Sequence, residues 1–304
     1  MERYGSLVSV AMATYNGAAY LAEQLETILS QTYKNLELII TDDCSADQTI
    51  SLLKDWQQRD SRIKLFFNEA NQGVTKTFEH SFQHCRGEFI AIADQDDIWE
   101  LDKIALLINE IGDADAVYSD SALVDKEGRS MNKTFKSMMN LQSYYSGAPF
   151  LMGNCVPGHT ILMRADFVRK ISPFPAEIMF DRWISFCAAA SNGIRFLDRA
   201  LVKYRQHDTN TVGTGKTKNK KNRKTSAQKF TIKLSELKAM ENAPVKDEAT
   251  KKLLRQMILL FHKKPSAKRS LFFFKNINNL LVIKNKPAYR KILYSLKMFF
   301  KPNY

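Results

Sequence analysis

The sequence predicts an α/β domain with a mostly parallel sheet and flanking helices, followed by a basic helical tail. Apolar runs alternate with amphipathic segments over residues 7–119, at spacings of about 25 residues, as parallel strands with crossover helices do. Polar or acidic residues follow four of the predicted strands. Residues 1–210 carry 21 Lys+Arg and 28 Asp+Glu (net −7), whereas residues 211–304 carry 24 and 4 (net +20), giving the +13 of the whole chain.

The first half of the chain is the regular part. Short runs rich in apolar and β-branched residues predict strands, and apolar residues at helical spacing predict the helices between them. The predicted strands are Leu7–Ala13, Leu36–Thr41, Ile63–Phe67, Phe89–Ala93 and Ala116–Ser119. The first predicted helix ends near Gln31, and the second runs from Asp47 or Gln48 to Arg59. The third runs from Val74 to Cys85, and the fourth spans residues 98–111.

The second half is less regular. A stretch rich in Gly and Pro, residues 147–159, is centred on Asn154 and predicts turns. Beyond it we expect these elements: a strand at Thr160–Arg164, a helix from Asp166 that Pro173 and Pro175 end, a helix from Phe180 to Ala190, and short strands at Arg195–Leu197 and before Tyr204. The predicted domains are residues 1–212, a basic linker at 213–226 and a basic amphipathic helical region at 227–304.

Three carboxylates, Asp94, Asp96 and Asp97, lie within four positions directly after the apolar run Phe89–Ala93. Two unit charges about 5 Å apart repel by roughly 3 kcal/mol at an effective dielectric near 20, so a compensating cation is expected. Mg²⁺ is often held by one or two carboxylates together with substrate phosphates. A structural alternative explains only Asp97, as the cap of the next helix with Glu100 completing a capping box.

The residues at the strand ends predict an active-site crevice. In open α/β sheets, ligands bind at the carboxyl ends of the strands. Here these ends carry Thr14-Tyr15-Asn16, Asp42-Asp43, Asn68 and Asp94-Gln95-Asp96. The sequence has neither the Gly-x-Gly-x-x-Gly of dinucleotide sites nor a P-loop, so a phosphate-bearing ligand would be held largely through metal.

Several function classes are disfavoured by composition. No signal peptide precedes the first strand, and no apolar run approaches the roughly 18 residues of a membrane-spanning helix. The scattered cysteines, Cys44, Cys85, Cys155 and Cys187, lack zinc spacing and indicate reduced thiols. These features predict a cytoplasmic protein.

The basic tail allows two interpretations. Its apolar clusters, Leu271–Phe274, Leu280–Ile283 and Leu293–Phe300, are interleaved with Lys and Arg. They could pack on the catalytic core, or they could enter the headgroup region of a membrane while the cations meet anionic lipid. Binding of nucleic acid is disfavoured, because the basic residues alternate with apolar clusters.

Taken together, the motifs resemble the bacterial family 2 glycosyltransferases, which share the GT-A nucleotide-diphospho-sugar transferase fold. The Asp-Gln-Asp-Asp-Ile-Trp and Tyr-Arg-Gln-His forms look most like the rhamnosyltransferase-like subgroup of surface-polysaccharide pathways. The resemblance covers about residues 5–212 and leaves out the tail. It rests on Val8-Ser9-Val10, Thr14-Tyr15-Asn16-Gly17, Glu23-Gln24-Leu25, Gln31-Thr32-Tyr33, the segment from Ile39 to Thr49, Asn71-Gln72-Gly73, the segment from Asp94 to Trp99, and Tyr204-Arg205-Gln206-His207.

The resemblance implies a role for individual residues of this chain. Thr14, Tyr15 and Asn16, with Asp42 or Asp43 (Asp43 favoured), would contact the nucleoside, and Asp94 would face its ribose. Asp96 and His207 would bind Mn²⁺ or Mg²⁺. Asp181 would be the general base, with an N-cap of helix 182–190 as its structural alternative. His159 would lie near the donor sugar or the acceptor, or would simply be packed in the core.

The function expected from the resemblance is transfer of a sugar, with inversion, from a UDP- or dTDP-sugar to a hydroxyl acceptor. The acceptor would be a glycan or a lipid-linked saccharide of a surface polysaccharide, and the enzyme would lie at the inner face of the cell membrane. Two alternatives remain. A nucleotidyltransferase that makes the activated sugar would need a Gly-rich phosphate loop, which Thr14-Tyr15-Asn16-Gly17 does not supply. A non-catalytic, membrane-associated binding protein would not need intact acidic strand ends.

Overall fold

The structure is a computed structural model that describes residues 5–207, 225–262 and 266–299. Its strands are β1 Val8–Thr14, β2 Leu36–Asp42, β3 Ile63–Phe67, β4 Phe89–Ala93, β5 Ile98–Trp99, β6 Ala116–Val124, β7 Ser130–Thr134, β8 Ile161–Arg164 and β9 Ile194–Arg205. Its helices are α1 Ala18–Leu29, α2 Thr49–Arg59, α3 Val74–His84, α4 Lys103–Glu110, α5 Ala165–Ile171, α6 Phe180–Ala189, α7 Ser226–Glu241, α8 Glu248–His262, α9 Ala267–Lys275, α10 Ile277–Leu280 and α11 Ala288–Lys297.

The described strands form one nine-stranded sheet in the order β3-β2-β1-β4-β8-β6-β9-β5, with β7 paired to β6. Strands β1 to β4 are mutually parallel, as the alternating pattern predicts. β8 runs antiparallel between β4 and β6, and β9 is parallel to β6. Six strands therefore point the same way, and the predicted mostly parallel α/β fold is confirmed.

The register brings the strand ends to one level. Thr14 at the end of β1 pairs with Asp42 at the end of β2, and Asp42 pairs with Phe67 at the end of β3. β1 and β4 are buried on both faces, which explains why their apolar runs are continuous. The polar residues that follow these strands therefore open into one crevice.

Several elements differ from the prediction. Strand β6 continues to Val124 instead of ending at Ser119, and β7 was not predicted. The predicted helix 98–111 is wrong at its start: Ile98 and Trp99 form β5 against β9, and α4 begins at Lys103. The two short strands expected around 195 and 203 are one twelve-residue strand, β9, because it pairs with β6 along that strand's length. In both places the strand forms because it pairs with a partner strand more than 70 residues away in the sequence. The local periodicity of the sequence does not show such a partner.

The tail packs on the catalytic domain, which was one of its two predicted roles. Phe273, Leu280, Ile283 and Met298 belong to the same buried cluster as the core of α6. Asn140 binds the tail backbone twice, donating from its side chain to Val282 O (3.0 Å) and from its amide to Ile283 O (3.1 Å). None of the described helices is long and apolar enough to cross a membrane.

The predicted linker 213–226 is mostly beyond the described residues. Thr225 and Ser226 belong instead to the start of α7, where the Thr225 hydroxyl and the Gln228 side chain form a capping box.

Candidate active site

Asp42 is a structural anchor at the end of β2. Its carboxylate is buried and accepts hydrogen bonds from the Thr14 hydroxyl (2.8 Å), the Ser45 amide (2.8 Å) and the Ser45 hydroxyl (2.6 Å). These three bonds join the end of β1 to the loop after β2. Thr14 and Asp42 thus build the floor of the crevice rather than its mouth.

Asp43 lies one residue further on and is held mainly by main-chain donors. Its carboxylate accepts from the amides of Gln72 (2.8 Å) and Gly73 (2.9 Å) and from the Asn68 side chain (2.8 Å). Gly73 has φ +82, in the left-handed region that favours glycine. A carboxylate has about four acceptor sites, so Asp43 keeps one for an N–H or O–H of a ligand. Asp42 also accepts three hydrogen bonds, so the number of bonds does not distinguish the two aspartates as candidates for contact with a nucleoside.

The turn after β1 joins the two acidic loops. The Asn16 amide donates to the Ser45 hydroxyl (2.8 Å), and the Asn16 side chain accepts from the Ala46 amide (2.9 Å). The backbone of Tyr15 forms two hydrogen bonds with the Gln95 side chain (2.9 and 3.1 Å). The Tyr15 ring is 49 % exposed and can therefore stack on a ligand.

The predicted metal residues Asp96 and His207 are in direct contact. His207 Nε2 lies 2.7 Å from Asp96 Oδ2 although the two residues are 111 positions apart, and the imidazole also packs on the Tyr20 ring. Burial and the neighbouring Asp94 raise the pKa of Asp96, and the hydrogen bond from His207 opposes this effect.

A second acidic and histidine cluster lies beside the first. Asp94, Asp97 and His159 each place a possible ligand atom within 4.8 Å of the others, and His159 Nδ1 lies 3.5 Å from Asp94 Oδ2 and 3.7 Å from Asp97 Oδ2. Within the described part of the chain, Asp97 Oδ2 and His159 Nε2 are buried without a hydrogen-bond partner. Unpartnered buried oxygen and nitrogen atoms next to an acidic loop fit a divalent cation such as Mn²⁺ or Mg²⁺.

Asp97 is not the helix cap that its sequence position suggested. The residue before α4 is Asp102, and Asp97 is fully buried with its Oδ1 accepting from the Arg205 amide (3.1 Å). Burial raises the pKa of Asp97 to about 7, against the attraction of His159. Burial lowers the pKa of His159, but the charges of Asp97 and Asp94 outweigh it and raise that pKa overall.

Lys103 lies fully buried beneath this cluster. Its ammonium donates to the His159 carbonyl (2.7 Å) and stands 3.3 Å from the centroid of the Trp99 ring. Burial lowers the pKa of Lys103 well below its usual value, although the charges of Asp97 and Asp94 oppose the change. Our reading of the sequence missed this residue. The sequence feature that could have identified it is a lysine four positions after Trp99, on the apolar face of a helix.

Arg205 ties the late Tyr-Arg-Gln-His motif to the acidic loop. Its guanidinium donates to the Asp96 carbonyl (2.9 Å) and to the Glu23 carboxylate (2.5 Å), in addition to the backbone bond to Asp97. The sequence motif pointed to His207 as the functional residue. In the structure, Arg205 of the same motif fixes the position of the acidic loop.

Asp181 lies in the first turn of α6, where Met179 is the N-cap, so its predicted alternative role as the cap is wrong. Its Oδ1 accepts from the Arg182 amide (2.6 Å), and the Asn154 side chain lies close enough to lower its pKa. Burial raises the pKa of Asp181 to about 6, and the charge of Asp94 adds to this effect.

The turn that carries His159 packs against the start of α6. A Cβ built on Gly158 would lie 2.9 Å from Phe180 Cζ and 3.5 Å from Asp181 Cβ. A side chain at this position would require the Phe180 ring to shift, and the glycine brings the turn with His159 and the helix with Asp181 close together. The crevice thus combines an acidic loop able to hold a cation with a separate carboxyl whose pKa suits proton transfer near neutral pH.

The sequence and the fold of this chain are both similar to those of known glycosyltransferases. The sequence profile described as "Glycosyl transferase family 2" matches residues 9–171. The chain is 32 % identical over 212 residues to the putative glycosyltransferase EpsE of Bacillus subtilis, covering 66 % of this chain and 74 % of EpsE. It is 28 % identical over 135 residues to the putative teichuronic acid biosynthesis glycosyltransferase TuaG of the same organism, covering 44 % of this chain and 54 % of TuaG.

Two solved structures share the fold. Residues 1–349 of Staphylococcus aureus TarS, in complex with UDP-GlcNAc, align with a TM-score of 0.61 and 19 % identity over 98 % of this chain and 81 % of that one. The mannosyltransferase PcManGT of Pyrobaculum calidifontis, in complex with GDP-Man and Mn²⁺, aligns with a TM-score of 0.55 and 16 % identity over 97 % of this chain and 80 % of that one. At these identities the alignments establish the GT-A fold alone.

Proposed function

The chain belongs to glycosyl transferase family 2, and we propose that it is an inverting enzyme that moves a sugar from a nucleotide-diphosphate sugar to a hydroxyl acceptor. One observation carries the proposal. Asp181, a half-buried carboxyl with a pKa raised to about 6, lies beside the turn that carries His159, and the acidic loop with its two histidines can hold a divalent cation. A general base and a site for a diphosphate thus share one cleft.

The nucleoside end of the donor binds at the ends of β1 and β2. The free acceptor position of Asp43 takes an N–H or O–H of the nucleoside, and the exposed ring of Tyr15 stacks on its base. Thr14, Asn16 and Asp42 hold these two residues in place through their own hydrogen bonds. Asp94, whose side chain is 36 % exposed, is free to meet the ribose.

Asp96 and His207 are the ligands that we propose for Mn²⁺ or Mg²⁺, with Asp94, Asp97 and His159 as neighbours able to complete the shell. When bound, such a cation supplies Lewis-acid stabilisation of the charge that develops on the departing nucleoside diphosphate. PcManGT, which has the same fold, was solved with GDP-Man and Mn²⁺. The hydrogen bonds of Arg205 to Asp97 and to the Asp96 carbonyl keep the acidic loop in position.

Asp181 acts on the acceptor. Its ionised carboxylate takes the proton of the acceptor hydroxyl while the hydroxyl oxygen attacks the anomeric carbon. The bond from this carbon to the diphosphate breaks on the opposite face, so an α-linked donor gives a β-linked product. Asn154 and the Arg182 amide orient the carboxylate.

The proposed acceptor is a glycan or lipid-linked saccharide of a surface polysaccharide, at the inner face of the cell membrane. TuaG, a relative of this chain, is named for teichuronic acid biosynthesis. The tail adds a strongly basic surface that would meet anionic lipid. The proposed donor is a UDP- or dTDP-sugar, with a hexose or rhamnose as the sugar, as the resemblance of the Asp-Gln-Asp-Asp-Ile-Trp motif to the rhamnosyltransferase-like subgroup implies.

A donor panel tests the proposal. UDP-, dTDP- and GDP-sugars are incubated with the full chain and a lipid-linked acceptor, with Mn²⁺, with Mg²⁺ or with chelator. We expect release of nucleoside diphosphate from one donor, loss of the activity in chelator and loss in Asp181→Asn. Release of pyrophosphate from a nucleoside triphosphate and a sugar phosphate would instead identify a nucleotidyltransferase, and binding without turnover would identify a non-catalytic protein.

A further inference from the structure

A pocket of about 330 Å³ lies where the tail meets the catalytic domain. Its apolar wall is formed by Met152, Leu280, Leu281 and Ile283, and the Tyr294 ring lines it as well. Lys284, Lys286, Arg290 and Lys291 form its basic rim. The volume is near the lower end of the roughly 300–1,000 Å³ typical of ligand pockets. We call it the tail pocket.

Among the residues that the structure describes, the basic rim has no acidic partner. Residues 249–304 contain fourteen Lys and Arg and no Asp or Glu. Across the described ranges 5–207, 225–262 and 266–299, no ion pair involves any of the four rim cations. Four cations around an apolar cavity are complementary to an anionic group attached to an apolar chain.

An exposed apolar stripe lies on the helix that carries part of the rim. Tyr289, Ile292, Leu293 and Leu296 follow the i, i+3, i+4, i+7 spacing of one helical face, and each is at least 40 % exposed. A helix of a globular protein normally buries such a face, whereas an interfacial helix lays it into the headgroup region of a membrane. The pocket and the stripe share α11, so a ligand in the pocket can enter from the lipid phase.

The tail pocket is also close to the proposed base. Met152 in its wall is two residues from Asn154, so the Cα atoms of Met152 and Asn154 are at most about 7 Å apart. The Asn154 side chain in turn interacts with Asp181. Arg182, which follows Asp181 in α6, donates from its guanidinium to the Phe150 carbonyl (3.0 Å) and the Leu151 carbonyl (2.9 Å). The start of α6 therefore fixes both Asp181 and the segment that leads into the pocket wall.

We propose that the tail pocket binds a phosphorylated lipid, with the phosphate on the basic rim and the first part of the hydrocarbon chain on the apolar wall. This lipid carries the acceptor sugar, and its bound phosphate places the sugar hydroxyl within reach of Asp181. The assignment of an acceptor role rests on the proposed glycosyl transfer, whereas the binding of the lipid does not.

The test uses the full chain and phosphatidylcholine vesicles with a low mole fraction of a polyprenyl phosphate. The rim variant combines Lys284→Gln, Arg290→Gln and Lys291→Gln. Its matched control, Lys268→Gln with Lys275→Gln and Lys297→Gln, removes the same charge from exposed sites outside the pocket. A third variant, Leu281→Glu, places a carboxylate on the apolar wall.

We expect the rim variant and Leu281→Glu each to lower co-flotation with these vesicles by at least about tenfold. The control variant should lower it by less than about threefold. Phosphatidylglycerol vesicles of equal charge should bind the wild type more weakly, and millimolar inorganic phosphate should not release it. Equal losses in the rim and control variants would overturn the proposal, because general charge attraction would then explain the binding. Displacement by inorganic phosphate, or a dimer by light scattering that the rim variant abolishes, would overturn it as well.

Hydrolysis of the nucleotide sugar without any acceptor separates the two proposals. It depends on the cation and nucleotide residues, so the rim variant should keep it within about twofold of wild type. No release of nucleoside diphosphate from any donor, with or without the acceptor, together with intact and rim-dependent lipid binding, would refute the proposed function and leave the lipid site standing. Normal hydrolysis with no rim-dependent lipid binding would refute the lipid site alone.

Discussion

Replacement of Asp181 by asparagine should lower activity and raise stability in the same protein. The pKa of Asp181 is raised to about 6, from an ordinary value of 3.8, because of burial, and the charge of Asp94 adds to this effect. Asparagine has the same shape and keeps an oxygen to accept from the Arg182 amide, but it carries no charge and cannot take a proton. The change therefore removes the base and leaves the local hydrogen bond.

The direction of the pH effect follows from the raised pKa. The folded protein favours the protonated carboxyl, so its stability falls as the pH rises from about 4 through about 6 and stays lowered above that. A pKa difference from 3.8 to about 6 corresponds to about 3 kcal/mol. Partial solvent access reduces this to about 1–2 kcal/mol. The asparagine variant should be more stable by that amount near pH 8 and no more stable near pH 4.

The assay is thermal unfolding of wild type and Asp181→Asn in chelator at both pH values, paired with turnover at the higher pH. We expect a gain in Tm of about 2–6 °C near pH 8 and a loss of turnover of at least about a hundredfold. Asp166→Asn is the matched control, because Asp166 lies in the first turn of α5 and pairs with Lys170 at the surface. Equal Tm values for wild type and Asp181→Asn near pH 8, or turnover retained in the variant, would refute the reasoning.

Three further predictions concern the cation, the nucleoside and the buried lysine. Asp96→Asn and His207→Ala should each weaken Mn²⁺ binding at least about tenfold by titration calorimetry, because each removes a ligand; unchanged affinity would exclude that residue from the site. Asp43→Asn should weaken binding of the nucleoside diphosphate about tenfold or more, and equal affinities would contradict a contact with the nucleoside. Lys103→Met should destabilise the fold by about 1–3 kcal/mol in denaturant titration, because it leaves a buried carbonyl without a donor. The matched Lys170→Met, at an exposed pair, should change stability by less than about 0.5 kcal/mol, and equal effects of the two would contradict a special role for Lys103.

The core strands were predictable because their apolar runs are local and uninterrupted. Strands β3 and β4 have the predicted boundaries, β1 is shifted by one residue at each end, and β2 is longer by one residue at its carboxyl end. Strand β5 was missed because two residues carry no periodicity, and only the pairing with β9 makes them a strand.

Within the site, the sequence predicted which residues are gathered but not what each one does there. The contact between Asp96 and His207 was expected from their motifs, and the structure brings the two within hydrogen-bond distance. The cap proposed for Asp97 was wrong, since Asp97 is buried against Arg205 instead. Lys103 was overlooked although it lies on the apolar face of α4, because a lysine on a helix is ordinarily solvent-exposed.

By itself, the sequence determined the α/β class, the crevice at the strand ends, the family and the charge division between domain and tail. These follow from short-range signals: strand periodicity, motif spacing and composition. Only the tertiary structure decided the roles of Asp42, Asp97 and Lys103 and the position of the tail pocket beside Asp181. Hydrogen bonding and burial fix these features. Both depend on which residues, distant in the sequence, come within about 4 Å of each other in the fold, and a local sequence pattern does not encode these contacts.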